Sequence, residues 1–150
     1  MKTVFLVCLF GLSSLGAAEV FHAYAPSRST RQLLIFEARE VTDGQSLRII
    51  QRVNLGFAAA TIVAHPRRPL LYVAAGRSEK NATPGAVVAL SPDGRKERVT
   101  QVMLKHGYSY LSLDRANRFL LGASYFDGLV DVYPLTKTGF PGKPVNSLAE

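Results

Sequence analysis

An all-β protein assembled from repeated four-stranded sheets is the fold class this sequence predicts, and three observations predict it. The chain of 150 residues matches itself without a gap when residue 60 is laid on residue 109: "ATIVAHPRRPLLYVAAG" (60–76) falls on "SYLSLDRANRFLLGASY" (109–125). The segments are short, rich in Val, Ile, Leu, Phe and Tyr, and end at Asp-Gly, Pro or Gly, which is strand-and-turn chemistry. No segment sustains helical spacing with caps, so helices are absent or minor. Four strands recurring at roughly 40–50 residues are the signature of a β-propeller blade.

The elements follow in chain order. Met1 and Lys2 supply a basic start, residues 4–15 are nearly all apolar, and Gly16, Ala17 and Ala18 form a small-residue cleavage pattern. Residues 1–18 therefore read as a signal peptide cut after Ala18. About twelve apolar residues are too few to span a bilayer as a helix, so no stable membrane span is expected after the leader is removed. The mature protein is expected to be secreted or periplasmic. Cys8, the one cysteine, leaves with the leader, which excludes disulfides, thiolate catalysis and cysteine metal sites.

A first blade near residues 19–55 contains "EVFHAYAP" (19–26), "RQLLIFEAREVTDG" (31–44) and "LRIIQRVNL" (47–55) as its second, third and fourth strands. It lacks an inner strand, because the leader occupies that space. Many propellers close by pairing strands from both chain ends, so the missing strand is expected from the C-terminal side. The second blade, near 56–104, has its strands at 60–64, 70–74, 86–90 and 98–104. The third, near 105–150, has strands at 109–113, 119–123 and 129–135. The chain thus amounts to about two and a half blades. In "GLVDVYPL" the period of two points Leu129, Asp131 and Tyr133 to one face and Val130 and Val132 to the other.

Apolar residues make up 47% of the chain, which supports a packed core and excludes disorder. The formal charge is +7, yet Arg67, Arg68, Arg95, Lys96 and Arg98 sit scattered beside turns with no helix or aromatic stripe to organise them. A solvated surface explains such charge better than a nucleic-acid partner. "NAT" at Asn81 is a glycosylation sequon that matters only in a eukaryotic secretory host.

The segments "HPRRPLLYVAAG", "YLSLDRANRFLLGASYFDGLVDVYPL" and "SPDG" (91–94) resemble the seven-bladed lactonase propellers, the 6-phosphogluconolactonase-like family. Members carry segments of the form (S)xDPxGRFLLxAxY followed by GxVxVxxLxxxG, and the resemblance runs from residue 19 to 142. It implies a small-molecule lactone as partner and hydrolysis of a sugar lactone or similar cyclic ester by the complete protein, with no cofactor and no metal. In the family a His-rich blade opening of the Gly-Pro-His-Pro-His type comes next, and an acidic residue and arginines follow later. This sequence stops before that segment, so the catalytic residues are unknown and the chain alone is expected to be inactive. Open strand edges at both ends of such a stack invite self-association. A Tyr-Val-Ala strand followed by a Gly-led strand also occurs in propellers with YVTN repeats, so a non-enzymatic extracellular binding module is the rival class.

A metal-free lactonase needs a base for water and a donor for the developing oxyanion. His106, in "KHGYSY", is the histidine nearest an inner strand and the one candidate base. Tyr108, Ser109 and Tyr110 stand at the entry to that strand, where propellers line their central channel, and Ser124 and Tyr125 end the strand beside it. These six residues are the channel-lining candidates; the family often has His at the position of Tyr110. His65 precedes Pro66 at a strand end and matches Asp114 in the repeat, which suits a turn cap. His22 alternates within a strand and reads as structural.

Overall fold

The computed structural model describes residues 7–9, 20–41, 44–76 and 83–149. Asn81 lies outside them. The described residues form twelve strands: β1 (Val7–Leu9), β2 (Val20–Ser27), β3 (Gln32–Val41), β4 (Gly44–Asn54), β5 (Ala59–Ala64), β6 (Leu70–Ala75), β7 (Thr83–Leu90), β8 (Lys96–Leu104), β9 (Tyr110–Leu113), β10 (Phe119–Ser124), β11 (Leu129–Pro134) and β12 (Asn146–Ala149). They make three antiparallel sheets in the orders β1-β2-β3-β4, β5-β6-β7-β8 and β9-β10-β11-β12, each strand beside its sequence neighbour. No helix among the described residues is long and apolar enough to cross a membrane.

The expected blades are therefore present, with one correction at the front. Val7–Leu9 pairs with His22, Ala23 and Tyr24 of β2 and supplies the inner strand that the first blade was expected to lack. The physical reason is the bare edge of β2, whose free N–H and C=O groups accept any extended apolar segment that reaches them.

Strand character follows from local sequence. β6 reads LLYVAA and is buried throughout, as befits a strand covered on both faces. β10, FLLGAS, alternates between half-buried and buried. The β5–β6 turn is closed by His65, whose amide donates to the Leu70 carbonyl at 2.8 Å. Its Nδ1 accepts the Arg67 amide at 3.1 Å, so His65 caps the turn. Burial, with Arg68 and Arg67 nearby, holds the His65 pKa below its ordinary value and keeps the ring a neutral acceptor. Asp114 does the same work at the β9–β10 turn, where its carboxylate accepts from the amides of Ala116, Arg118 and Phe119 at 2.6–3.1 Å.

The sheets stack face to face around two cores. Between the first and second blades lie Tyr24, Leu33, Ile35, Val53, Leu55, Phe57, Ile62, Leu71, Val73 and Val88. Between the second and third lie Leu70, Tyr72, Val87, Leu104, Tyr108, Leu111, Leu120 and Tyr133. Each fully buried aliphatic side chain here contributes roughly 1.5–3 kcal/mol. A tyrosine strut spans each joint. Tyr24 donates from β2 to the Gly94 carbonyl at 3.0 Å, and Tyr72 donates from β6 to the Gly139 carbonyl at 2.8 Å. Both glycines have positive φ, 74° and 87°, in the turns that leave β7 and β11. The His22 ring occupies the space a side chain at Gly94 would need, which confirms it as a packing residue.

Among the described residues, large apolar side chains are exposed on both outer faces of the stack. Leu47 and Ile49 (61% and 37% exposed) point away from the first core because a β-bulge at Ile50 shifts the alternation of β4, and Tyr110 and Leu148 (each 62%) point away from the second.

Candidate functional site

The link from β8 to β9 carries Lys105, His106 and Tyr108 across the top of the second joint. Its path is pinned by the backbone: the Tyr108 amide donates to the Ala75 carbonyl and the Ser109 amide to the Ala123 carbonyl, both at 2.9 Å. The Tyr108 ring lies flat on Gly122 of β10, where a Cβ would stand 2.6–2.7 Å from ring carbons. Only glycine at that position leaves room for the ring.

Beneath the link sits Asp131 of β11, fully buried. Its Oδ2 accepts from His106 Nδ1 at 2.6 Å and from the Tyr108 hydroxyl at 2.5 Å, and its Oδ1 accepts from the Ser147 hydroxyl of β12. The rest of the network follows by proton counting. The Lys105 amide donates to the Tyr133 hydroxyl at 2.8 Å, Tyr133 then donates to the Tyr108 oxygen, and Tyr108 spends its own proton on Asp131. Lys105 Nζ donates to Ser147 Oγ at 2.7 Å, which leaves the serine proton for Oδ1.

Burial pushes the Asp131 carboxyl up, but the bonds from His106, Ser147 and Tyr108 outweigh it, and the net pKa lies below the ordinary carboxylate value. Burial and the donation to Asp131 drive the Tyr108 phenol strongly upward, so it remains a donor. An ionised Asp131 holds the Nδ1 proton of His106 and fixes the tautomer, so Nε2 is the nitrogen free to accept a proton from water. The His106 side chain is 26% exposed, the one part of the network other than Lys105 and Ser147 that solvent reaches.

The structure brings His106 and Tyr108 together on one carboxylate and separates the other candidates from them. Tyr108 is fully buried in the joint, so its expected place on a channel wall is corrected: the Gly122 seat draws the ring inward. Ser124 is likewise buried (4% exposed), with its hydroxyl donating to Asp127 Oδ2 at 2.6 Å to close the β10–β11 turn. Ser109 Oγ accepts the Tyr125 amide at 3.3 Å. Tyr110 and Tyr125 are open to solvent, and Tyr125 (83% exposed) meets Phe126 edge to face at 5.7 Å. Asp131, Tyr133, Lys105 and Ser147 were not candidates. Alternation in "GLVDVYPL" had already set Asp131 beside Tyr133 on one face, an acid on a buried side that demands a partner; Lys105 and Ser147 carry no such signal. Among the described residues no three His, Cys, Asp or Glu side chains converge as metal ligands.

Side-by-side four-stranded sheets, joined outer strand to inner strand and locked by tyrosines reaching one sheet onward, define a β-propeller. The sequence model of the family described as "Lactonase, 7-bladed beta-propeller" matches residues 23–150, and the chain belongs to that family. It is 26% identical over 124 residues to the 6-phosphogluconolactonase of Erwinia tasmaniensis, an alignment covering 81% of this chain and 35% of that protein. Two solved structures share the fold. One, assigned as a 6-phosphogluconolactonase of Bacteroides uniformis, superposes with a TM-score of 0.67 at 18% identity over 85% of this chain and 37% of that one. Another, assigned likewise from Bacteroides fragilis, gives 0.68 at 17% identity over 95% and 38%. The chain spans little more than a third of the length of these relatives.

Proposed function

We propose that this chain supplies the opening three blades of an exported lactone hydrolase, and that it is inactive by itself. The observation that carries the second part is the exposure of large apolar side chains on both outer faces. Leu47 and Ile49 on one side and Tyr110 and Leu148 on the other are the kind of surface a propeller covers with its next blade. Family membership supports the lactone as substrate. In the complete protein, water attacks the lactone carbonyl while a base takes its proton. The ring C–O bond then breaks, and the released oxygen takes up a proton to give a hydroxy acid.

The described residues offer one half of that machinery. His106 backed by Asp131 has the form of a base, but the nearby Lys105 ammonium is engaged with Ser147 and does not face an oxyanion site. The leader-like composition of residues 1–18 supports export; cleavage after Ala18 would take β1 away and reopen the edge of β2, and a site outside the cytoplasm favours an unphosphorylated lactone.

Purified chain is expected to be oligomeric or insoluble and to leave glucono-δ-lactone intact; a monomer with turnover would falsify the proposal. Expressed in a bacterial host, the exported product is expected to begin at Glu19, and retention of Met1 in the cytoplasm would refute export. A binding propeller is the competing class because Tyr125 and Phe126 stand edge to face and exposed at the β10–β11 turn. Saturable sugar binding without turnover by a seven-bladed propeller that contains this chain would decide for it.

A further inference from the structure

A second feature lies away from His106, on the rim of the joint between the first and second blades. The β2–β3 turn, the link between β4 and β5 and the start of β7 enclose a cleft of about 330 Å³, room for a small organic molecule. Arg28 and Arg31 line it with Gly56, Phe57 and Gln101, and among the described residues no carboxylate does. From these residues we propose that the cleft is a binding site for a small organic anion, its carboxylate or phosphate held by the two guanidinium groups.

Three observations support this, independently of the lactonase reading. The first is that both guanidinium groups lack a hydrogen bond or ion pair among the described residues. Arg39 and Arg48 hold Glu37 at 2.8 Å, Arg95 holds the Ile50 carbonyl at 2.9 Å and Arg68 holds the Lys137 carbonyl at 2.6 Å, while the scattered surface arginines without such a bond stand singly; Arg28 and Arg31 differ from those in lining one cleft together. Two planar forks lining one cleft, with no protein acceptor among the described residues, match the oxygens of a carboxylate or phosphate.

The backbone of Arg31 is the second. Its φ is 56°, in the left-handed region that long side chains rarely adopt. The turn is nevertheless held there, because the Arg31 carbonyl accepts the Leu55 amide at 2.9 Å and ties β2–β3 to the exit of β4. Backbone strain kept in this way is a feature of ligand clamps. Elsewhere among the described residues a non-glycine adopts positive φ only at Asn117, a residue type that tolerates it.

The third is the remainder of the lining, Gln101 with Gly56 and Phe57. Gln101 Nε2 donates to the Leu55 carbonyl at 3.3 Å, which orients the amide and leaves its other N–H as a donor. Gly56 beside it has φ 78°, a conformation that glycine adopts without strain. Phe57 supplies an apolar floor for a carbon skeleton.

The test is calorimetric titration of the chain, kept soluble by fusion to a carrier protein, with gluconate and with inorganic phosphate at low ionic strength. Binding of one or both anions is expected, lost at least tenfold in Arg28→Gln and Arg31→Gln; the anion preferred tells carboxylate from phosphate. Arg31→Gly is expected to lose binding while raising the denaturation midpoint, because glycine relieves the strained backbone. Absence of binding, or equal binding by both glutamine variants, overturns the proposal, as does a midpoint that falls in Arg31→Gly, which would make Arg31 a structural residue. None of these readings depends on lactone turnover.

Discussion

The two joints of the stack share a frame and differ in what fills it. Each is spanned by a buried tyrosine that donates to the carbonyl of a positive-φ glycine in the following blade, Tyr24 to Gly94 and Tyr72 to Gly139. Burial pushes both phenols up to about 12. The first joint is otherwise apolar, packed with Leu33, Ile35, Leu71 and Val88. The second has a smaller apolar core and admits an ionised carboxylate whose partners come from β8–β9, β11 and β12. The repeat thus dictates the strut, while the remaining contacts of a joint are free to be dry or polar. A dry joint tolerates exchange among apolar residues of similar volume. A polar one fails when a single member is lost, because each remaining donor stays buried without an acceptor.

The largest expected difference between the joints comes from Asp131→Ala. It strands the donors of His106, Tyr108 and Ser147 and should cost about 4 kcal/mol by chemical denaturation, with Asp131→Asn costing less. A loss under 1 kcal/mol would mean that the polar joint is no more brittle than the dry one. Gly122→Ala drives a methyl into the Tyr108 ring and should cost about 2 kcal/mol, again confined to the second joint. Tyr24→Phe and Tyr72→Phe should each cost about 1 kcal/mol, and strongly unequal losses would break the shared frame.

The smallest effect is the most specific. Because the folded pKa of Asp131 lies below the unfolded value of about 3.9, its contribution is present above that pH and lost as pH falls through the folded pKa. Amide exchange on β9–β12 should therefore accelerate in acid before exchange on β2–β7, and Asp131→Asn should remove the difference. At the other extreme both struts behave alike. Their raised pKa values stabilise the fold fully below the unfolded tyrosine value of about 10, and that stability is lost as pH rises through about 12.

These differences also mark what was legible in the sequence. The second and third blades could be read strand by strand, because the match of residue 60 to residue 109 preserves both the apolar pattern and the turn residues. His65 and Asp114 fell at equivalent positions and cap equivalent turns with different chemistry. β1 was hidden because an apolar run serves equally as the heart of a leader and as an edge strand. Position along the link singled out His106 and Tyr108, but the inward turn of Tyr108 depends on the missing side chain of Gly122, a contact that spacing does not reveal. Asp131 was placed on its face correctly and given no role, since its partners, Lys105 and Ser147 among them, converge only when three strands and a link meet.

The direction of the struts bears on how the chain folds as it is made. Tyr24 must wait for Gly94, 70 residues later, and Tyr72 for Gly139, 67 residues later. At a synthesis rate of about 5–20 residues per second, each blade would remain unlatched for roughly 3–14 s after it emerges. Leu121 stands in the third blade where Tyr72 stands in the second, so that position holds no phenol to act as a latch.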